Sequence, residues 1–79
     1  MEIKVVGGGC ANCKKLFGYV KKAIGDLDMD ADILYMTDMA DIAKTGIMQT
    51  PGLVIDGKVK AMGRVPGVNE IKQMIKDEQ

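Results

Sequence analysis

The hydrophobic positions in the first half of the chain predict a strand, a helix and a second strand. Residues 2–6 are rich in Ile and Val and are followed by three glycines, which is typical of a β-strand that ends in a turn. From Ala11 onward, apolar residues recur at spacings of four, three and four, the period of a helix with one buried face. They are Cys13, Phe17, Val20 and Ile24. We expect this helix to end at Gly25, and residues 32–36 to form the second strand.

The second half predicts a short helix, a hairpin and a final helix. Thr37 is expected to cap a short helix that carries Asp38 and Asp41 in its first turn and ends at Gly46. Residues 53–55 and 58–62 flank Asp56-Gly57, a pair that suits a two-residue turn, and therefore predict an antiparallel hairpin. After a loop at 63–67, apolar residues at helical spacing mark one face of the last helix: Val68, Ile71, Met74 and Ile75.

These elements follow one another in the order βαβαββα. Two strands joined by a crossover helix are parallel neighbours, whereas the hairpin adds antiparallel strands. We therefore expect an α/β fold in which a four-stranded mixed sheet has helices on both faces. The 79 residues have room for a single domain, 1–79, and no repeat or linker divides them.

Composition and charge exclude several classes of function. Eleven Lys and Arg balance eleven Asp and Glu, so there is no broad cationic field, and we expect neither nucleic acid nor a membrane as partner. The sequence has no His and no Ser. Ser/His or Cys/His catalysis and a mixed Cys/His zinc site are therefore impossible.

The expected cellular compartment indicates which role the two cysteines have. The N-terminus has no apolar run long enough for a signal peptide or a membrane span, so we expect a cytoplasmic protein whose thiols stay mostly reduced. A structural disulfide closing so short a loop would contribute only about 2 kcal/mol. Cys10 and Cys13 therefore favour a catalytic or metal-binding role.

Their position at the junction of a strand and a helix supports a redox role. A helix N-terminus carries unpaired N–H groups and a partial positive charge, which should stabilise a thiolate at Cys10 and lower its pKa. Lys14 and Lys15 add to that field. Cys13, three residues on, can approach Cys10 from the first helical turn and release a mixed disulfide.

Taken together, these motifs resemble the thioredoxin superfamily over nearly the whole chain. Gly-Cys-x-x-Cys follows the first strand, Thr50-Pro51 precedes the hairpin, and Gly63 follows the last strand. The sequence is similar to small, glutaredoxin-sized redox-active disulfide proteins of archaea and bacteria. The resemblance implies a thioredoxin-like three-layer fold and a monomeric protein-disulfide oxidoreductase that acts in electron transport without a cofactor. Its partners would be protein disulfide substrates and an electron donor similar to thioredoxin reductase.

The resemblance also implies roles for individual residues. Cys10 would be the nucleophile and Cys13 the resolving thiol, with Pro51 as a cis-proline facing them. The implied substrate-binding residues are Gly9, Thr50, Pro51 and Gly63. Three features depart from the better-known members. The inner pair is Ala11-Asn12, Gly9 replaces the Trp of thioredoxin, and Lys4 stands where thioredoxin has a buried acid.

Two other functions remain open at this stage. A copper-type metallochaperone also carries C-x-x-C at the start of its first helix, but its ferredoxin-like fold has the order βαββαβ and a Met two residues before the first cysteine, where this chain has Gly8. We expect three of the seven methionines to fill the core: Met39, Met62 and Met74. A redox-silent binding domain is the third possibility.

Overall fold

The computed structural model describes residues 1–8, 11–47 and 49–78, with the backbone alone for Met39. Its helices and strands have the order βαβαββα, as the sequence predicted. They are β1 (Glu2–Val6), α1 (Ala11–Leu27), β2 (Asp32–Met36), α2 (Met39–Thr45), β3 (Gly52–Ile55), β4 (Lys58–Met62) and α3 (Val68–Asp77).

The four strands form one mixed sheet in the order β2-β1-β3-β4. β1 runs parallel to β2, since α1 carries the chain back between them, and antiparallel to β3. β3 and β4 form the predicted hairpin, whose turn residues Asp56 and Gly57 both have positive φ, 49° and 83°. A β-bulge in this hairpin leaves Lys60 as the extra residue, because Leu53 pairs with Ala61 whereas Val54 pairs with Val59.

Side chains on the two faces of the sheet form two separate hydrophobic clusters. The larger one joins one face to α1 and α3, and consists of Ile3, Val5, Leu16, Val20, Ala23, Ile24, Leu53, Ile55, Ala61, Ile71 and Ile75. The smaller one joins the other face to α2, and consists of Val6, Ile42, Ile47 and Val54. The helices therefore lie on both faces, and the chain has the expected three-layer, thioredoxin-like α/β fold.

The predicted end of α1 and the predicted start of α2 need correction. α1 does not end at Gly25 but continues to Leu27. The next residue, Asp28, adopts the left-handed conformation (φ 50°) that terminates the helix. The N–H groups of Asp28 and Met29 donate to Gly25 O at 3.2 Å and Ile24 O at 3.4 Å. The N-cap of α2 is Asp38 and not Thr37, because the Asp38 carboxylate accepts from the N–H of Ala40 at 2.9 Å.

The methionine predictions have three different outcomes. Met74 is partly buried and packs against the larger cluster. Met62 is 44% exposed, because β4 is an edge strand and this residue stands at its end, so it does not fill the core. The side chain of Met39 lies outside the described part of the molecule.

Candidate active site

Three segments singled out by the sequence meet at one edge of the sheet. Val6, Gly52 and Met62 are aligned across β1, β3 and β4 as the last paired residues at that edge. The residues immediately beyond them are Gly7, Pro51 and Gly63. The N–H of Gly63 donates to the carbonyl of Pro51 at 2.8 Å, and the N–H of Gly7 donates to the carbonyl of Met36 at 3.0 Å. Backbone hydrogen bonds therefore fix this edge on both sides.

Cys13 lies at the same edge, in the first turn of α1. Its side chain is 0% exposed and lies against Gly7, where a Cβ atom would come within 2.8 Å of the Cβ of Cys13. Cys13, the one cysteine among the described residues, is not a free thiol. Cys10 and Gly9, the proposed nucleophile and its neighbour, lie outside the described residues.

Pro51 and Gly63 form the opposite side of the edge. The Thr50–Pro51 peptide bond is cis, the isomer that the resemblance implied, and Pro51 is buried whereas Thr50 is exposed. Gly63 has a positive φ of 74°. A Cβ atom there would lie 3.2 Å from the Cβ of Gln49. Any side chain at position 63 would therefore be strained and would also meet Gln49.

Gly7 and Gln49 are two residues at this edge that the sequence did not single out. Gly7 is one of three consecutive glycines, and nothing in that run shows which of them contacts Cys13. Gln49 is a polar residue next to Thr50, and its proximity to Gly63 depends on how the loop before β3 meets the end of β4. Proximity to Thr-Pro was the only available signal for Gln49.

Lys14 and Lys15, the lysines that the sequence associated with the Cys10 thiolate, are both exposed. The Nζ atom of Lys15 lies 5.8 Å from the centroid of the Tyr19 ring, one turn farther along α1. Stabilisation of a Cys10 thiolate by these lysines stays a prediction. Among the described residues no charged side chain is buried. Lys4, at the position of the acid in thioredoxin, forms an ion pair with Glu2 at 3.1 Å.

An ion pair attaches the segment after Gly63 to α3. Arg64 donates to both carboxylate oxygens of Glu70, at 3.1 and 2.5 Å, and Glu70 lies in the first turn of α3. The hydrogen bond from Arg64 lowers the pKa of Glu70, and the same hydrogen bond raises the pKa of Arg64. This bidentate pair helps to fix the loop that begins at Gly63.

The described part of the chain contains no group of three or more His, Cys, Asp or Glu side chains that could hold a metal ion. The order βαβαββα also differs from the βαββαβ order that the copper-type alternative requires.

Comparison with known proteins agrees with the fold. Residues 1–76 match the family model described as a thioredoxin domain. The chain belongs to the thioredoxin domain family. A protein of Methanothermobacter thermautotrophicus named "Thioredoxin" is 39% identical over 75 residues, which cover 95% of this chain and 97% of the relative. A "Thioredoxin" of Methanocaldococcus jannaschii is 38% identical over 74 residues, covering 94% of this chain and 85% of the relative.

As a member of this family, the chain is a thiol–disulfide oxidoreductase. None of the helices formed by the described residues is long and apolar enough to cross a membrane.

Proposed function

We propose that the chain exchanges a dithiol for a disulfide with protein substrates through Cys10 and Cys13. Cys10 is the attacking nucleophile, and Cys13 is the resolving thiol. Gly9, Thr50, Pro51 and Gly63 form the substrate-binding edge, and Lys14 and Lys15 favour the Cys10 thiolate.

The observation that carries this proposal is the burial of Cys13 at the edge formed by Gly7, Pro51 and Gly63. A sulfur with 0% exposure cannot meet the disulfide of a folded protein substrate directly. A substrate must therefore react first with another sulfur, and Cys10 is the only other cysteine of the chain. Cys13 then acts within the molecule, which is the role of a resolving thiol.

The exchange takes place in two balanced steps. The Cys10 thiolate attacks a substrate disulfide, so that a Cys10–substrate disulfide forms while the other substrate sulfur leaves as a thiolate and takes up a proton. The Cys13 thiolate then attacks the Cys10 sulfur, a Cys10–Cys13 disulfide forms, and the second substrate sulfur leaves. A reductase of the thioredoxin-reductase class supplies two electrons and two protons to restore both thiols.

The relatives support the proposed partners. Both carry the name thioredoxin. On that basis we propose that the present chain takes protein disulfides as substrates and electrons from a reductase, as a cytoplasmic monomer of one domain, 1–79, that uses no bound cofactor.

Trapping of the mixed disulfide tests the division of labour. Cys13→Ser should accumulate adducts with proteins of a cell extract on non-reducing gels, because nothing cleaves the first intermediate. Cys10→Ser should give none, since Cys13 is buried. The doubly substituted chain is the control for background capture. Adducts with both single variants, or with neither, would contradict the assigned roles.

The same variants separate the redox function from metal binding. In a metallochaperone both sulfurs are ligands, so either substitution should reduce Cu(I) affinity to a similar degree. A redox-silent domain should respond to neither substitution. Only the exchange mechanism predicts an asymmetry between Cys10 and Cys13.

A further inference from the structure

Gly7 is the residue whose backbone lies against the Cys13 side chain. It is buried, it follows the last residue of β1, and its N–H is fixed by the hydrogen bond to Met36 O at 3.0 Å. A Cβ atom at Gly7 would lie 2.8 Å from the Cβ of Cys13 and closer still to its Sγ. Non-bonded carbon atoms pack at about 3.5–4.0 Å, so no side chain fits at position 7 while Cys13 keeps its place.

The requirement at position 7 concerns space and not backbone conformation. The glycines with positive φ in the described part of the chain are Gly46, Gly57 and Gly63, and Gly7 is not among them. Its neighbour Gly8 has no atom within 4 Å of the place where a Cβ would stand. Of these two adjacent glycines, Gly7 is buried against Cys13, whereas Gly8 is exposed and makes no such contact.

We propose that Gly7 is a positioning residue for the resolving sulfur, an inference that rests on the proposed exchange between Cys10 and Cys13. The bare backbone at position 7 allows the first turn of α1 to approach β1 closely and leaves room for the Sγ of Cys13. In the resolving step that sulfur bonds to the Cys10 sulfur as the bond from Cys10 to the substrate breaks. The position of the Cys13 sulfur relative to β1 therefore helps to set the geometry of the resolving step.

A methyl group at position 7 should affect the two redox forms unequally. A covalent bond to a second sulfur restricts where Sγ can lie, whereas the Sγ of a thiol can rotate about χ1 to another rotamer. Because no described cysteine is free, the Sγ that the methyl would meet is a bonded one. Gly7→Ala should therefore destabilise the disulfide form more than the dithiol form, and should make the pair easier to reduce.

Equilibration with dithiothreitol buffers of graded redox ratio measures this effect. The oxidised fraction of the wild type, Gly7→Ala and Gly8→Ala is read by alkylation and mass spectrometry. We expect Gly8→Ala to remain within about twofold of the wild type. For Gly7→Ala we expect the equilibrium constant for reduction to rise about tenfold or more, which is a shift of about 30 mV to less negative potential. Equal potentials for the two variants would overturn the inference.

A reductase assay on the same proteins separates this inference from the proposed function. With insulin as the disulfide substrate and dithiothreitol as electron source, the wild type and Gly8→Ala should be active. If both are inactive, the proposed function fails, whatever the potential of Gly7→Ala. If both are active and Gly7→Ala has an unshifted potential, the function stands and the role of Gly7 is wrong.

A second background keeps the inference testable if Gly7→Ala folds poorly. Without reductant, Gly7→Ala should lower the urea midpoint less in a Cys13→Ala chain, which cannot form the disulfide, than in the oxidised wild type, because the bonded sulfur that the methyl group would meet is gone. Folding of the double variant where Gly7→Ala alone fails would support the inference. An equal loss in both backgrounds, or failure of both to fold, would show that position 7 does not serve the Cys13 sulfur.

Discussion

Asp38 holds the first turn of α2 through a single side-chain hydrogen bond. Its carboxylate accepts from the N–H of Ala40 at 2.9 Å, while Thr37 is exposed and has no side-chain hydrogen bond in the described part of the chain. Asp38→Ala should therefore lower the free energy of unfolding by about 1 kcal/mol, as the loss of an N-cap generally does. Thr37→Ala is the matched control, with an expected change below about 0.5 kcal/mol. Urea denaturation compares them, and a larger loss at Thr37 would contradict the cap.

Single residues differ in how far the sequence predicts their place in the site. The meeting of Cys13, Pro51 and Gly63 at one edge could be predicted, because the resemblance to the thioredoxin superfamily implied it. Gly7 and Gln49 could not, because their contacts arise only when α1 packs on β1 and the loop before β3 meets the end of β4. A contact between segments distant in sequence leaves no local pattern in the sequence.

Two helical glycines of the chain should respond in opposite ways to the same substitution. Gly25 lies inside α1, and Gly46 ends α2 with a φ of 83°, and neither has an atom within 4 Å of the place where a methyl group would stand. Gly25→Ala should stabilise the protein by about 0.5–1 kcal/mol, because Ala loses less backbone entropy in a helix. Gly46→Ala should destabilise it by about 1 kcal/mol, since Ala resists the left-handed conformation. Thermal unfolding of both variants measures the sign of each change in stability.

A loss of stability for Gly25→Ala would mean that α1 does not continue through this residue. The sequence predicted both helices and an end for each at its glycine, which is correct for Gly46 and wrong for Gly25. What decides the end of α1 is the left-handed Asp28, together with Met29, which packs against the larger hydrophobic cluster. The packing of Met29 is a tertiary contact, which no local pattern in the sequence marks.

At the scale of the whole molecule, local patterns predicted the order of elements and the pairings β1–β2 and β3–β4, but not the pairing of β1 with β3 that joins them into one sheet. Turn residues and hydrophobic periods mark each element locally. The arrangement β2-β1-β3-β4 depends on which strands pair, and it places the ends of β1, β3 and β4 together at the candidate site. The edge is therefore a product of the topology and not of any one motif.

Ion pairs link α3 to α1 and, at the end of α3, to β4. Lys72 of α3 contacts Asp26 of α1 at 2.9 Å, and its hydrogen bond is the main cause of the lowered pKa of Asp26. At the end of α3, the carboxylate of Glu78, 12% exposed, contacts Lys60 and lies 3.1 Å from Lys58 on β4. Hydrogen bonds from Lys60 and then Lys58 lower the pKa of Glu78 from its ordinary value of 4.5.

The lowered pKa of Glu78 predicts a pH-dependent contribution to stability. A carboxyl group whose pKa is lower in the folded state than in the unfolded state stabilises the fold above its unfolded pKa, and this contribution is lost as pH falls through the folded pKa. Glu78→Gln should therefore unfold at lower urea concentration than the wild type at pH 7. The two urea midpoints should converge below pH 4.5, as the wild-type carboxyl group also becomes neutral.

The matched control removes the two cations instead of the acid. In a chain with Lys58→Gln and Lys60→Gln, the further change Glu78→Gln should have little effect at pH 7, because its partners are already absent. A full loss of stability in that background would mean that Glu78 acts through packing and not through its charge. In the proposed mechanism only the ionised carboxylate holds the end of α3 against β4. A difference in urea midpoint between wild type and Glu78→Gln that stays constant from pH 7 to below pH 4.5 would therefore also mean that Glu78 acts through packing.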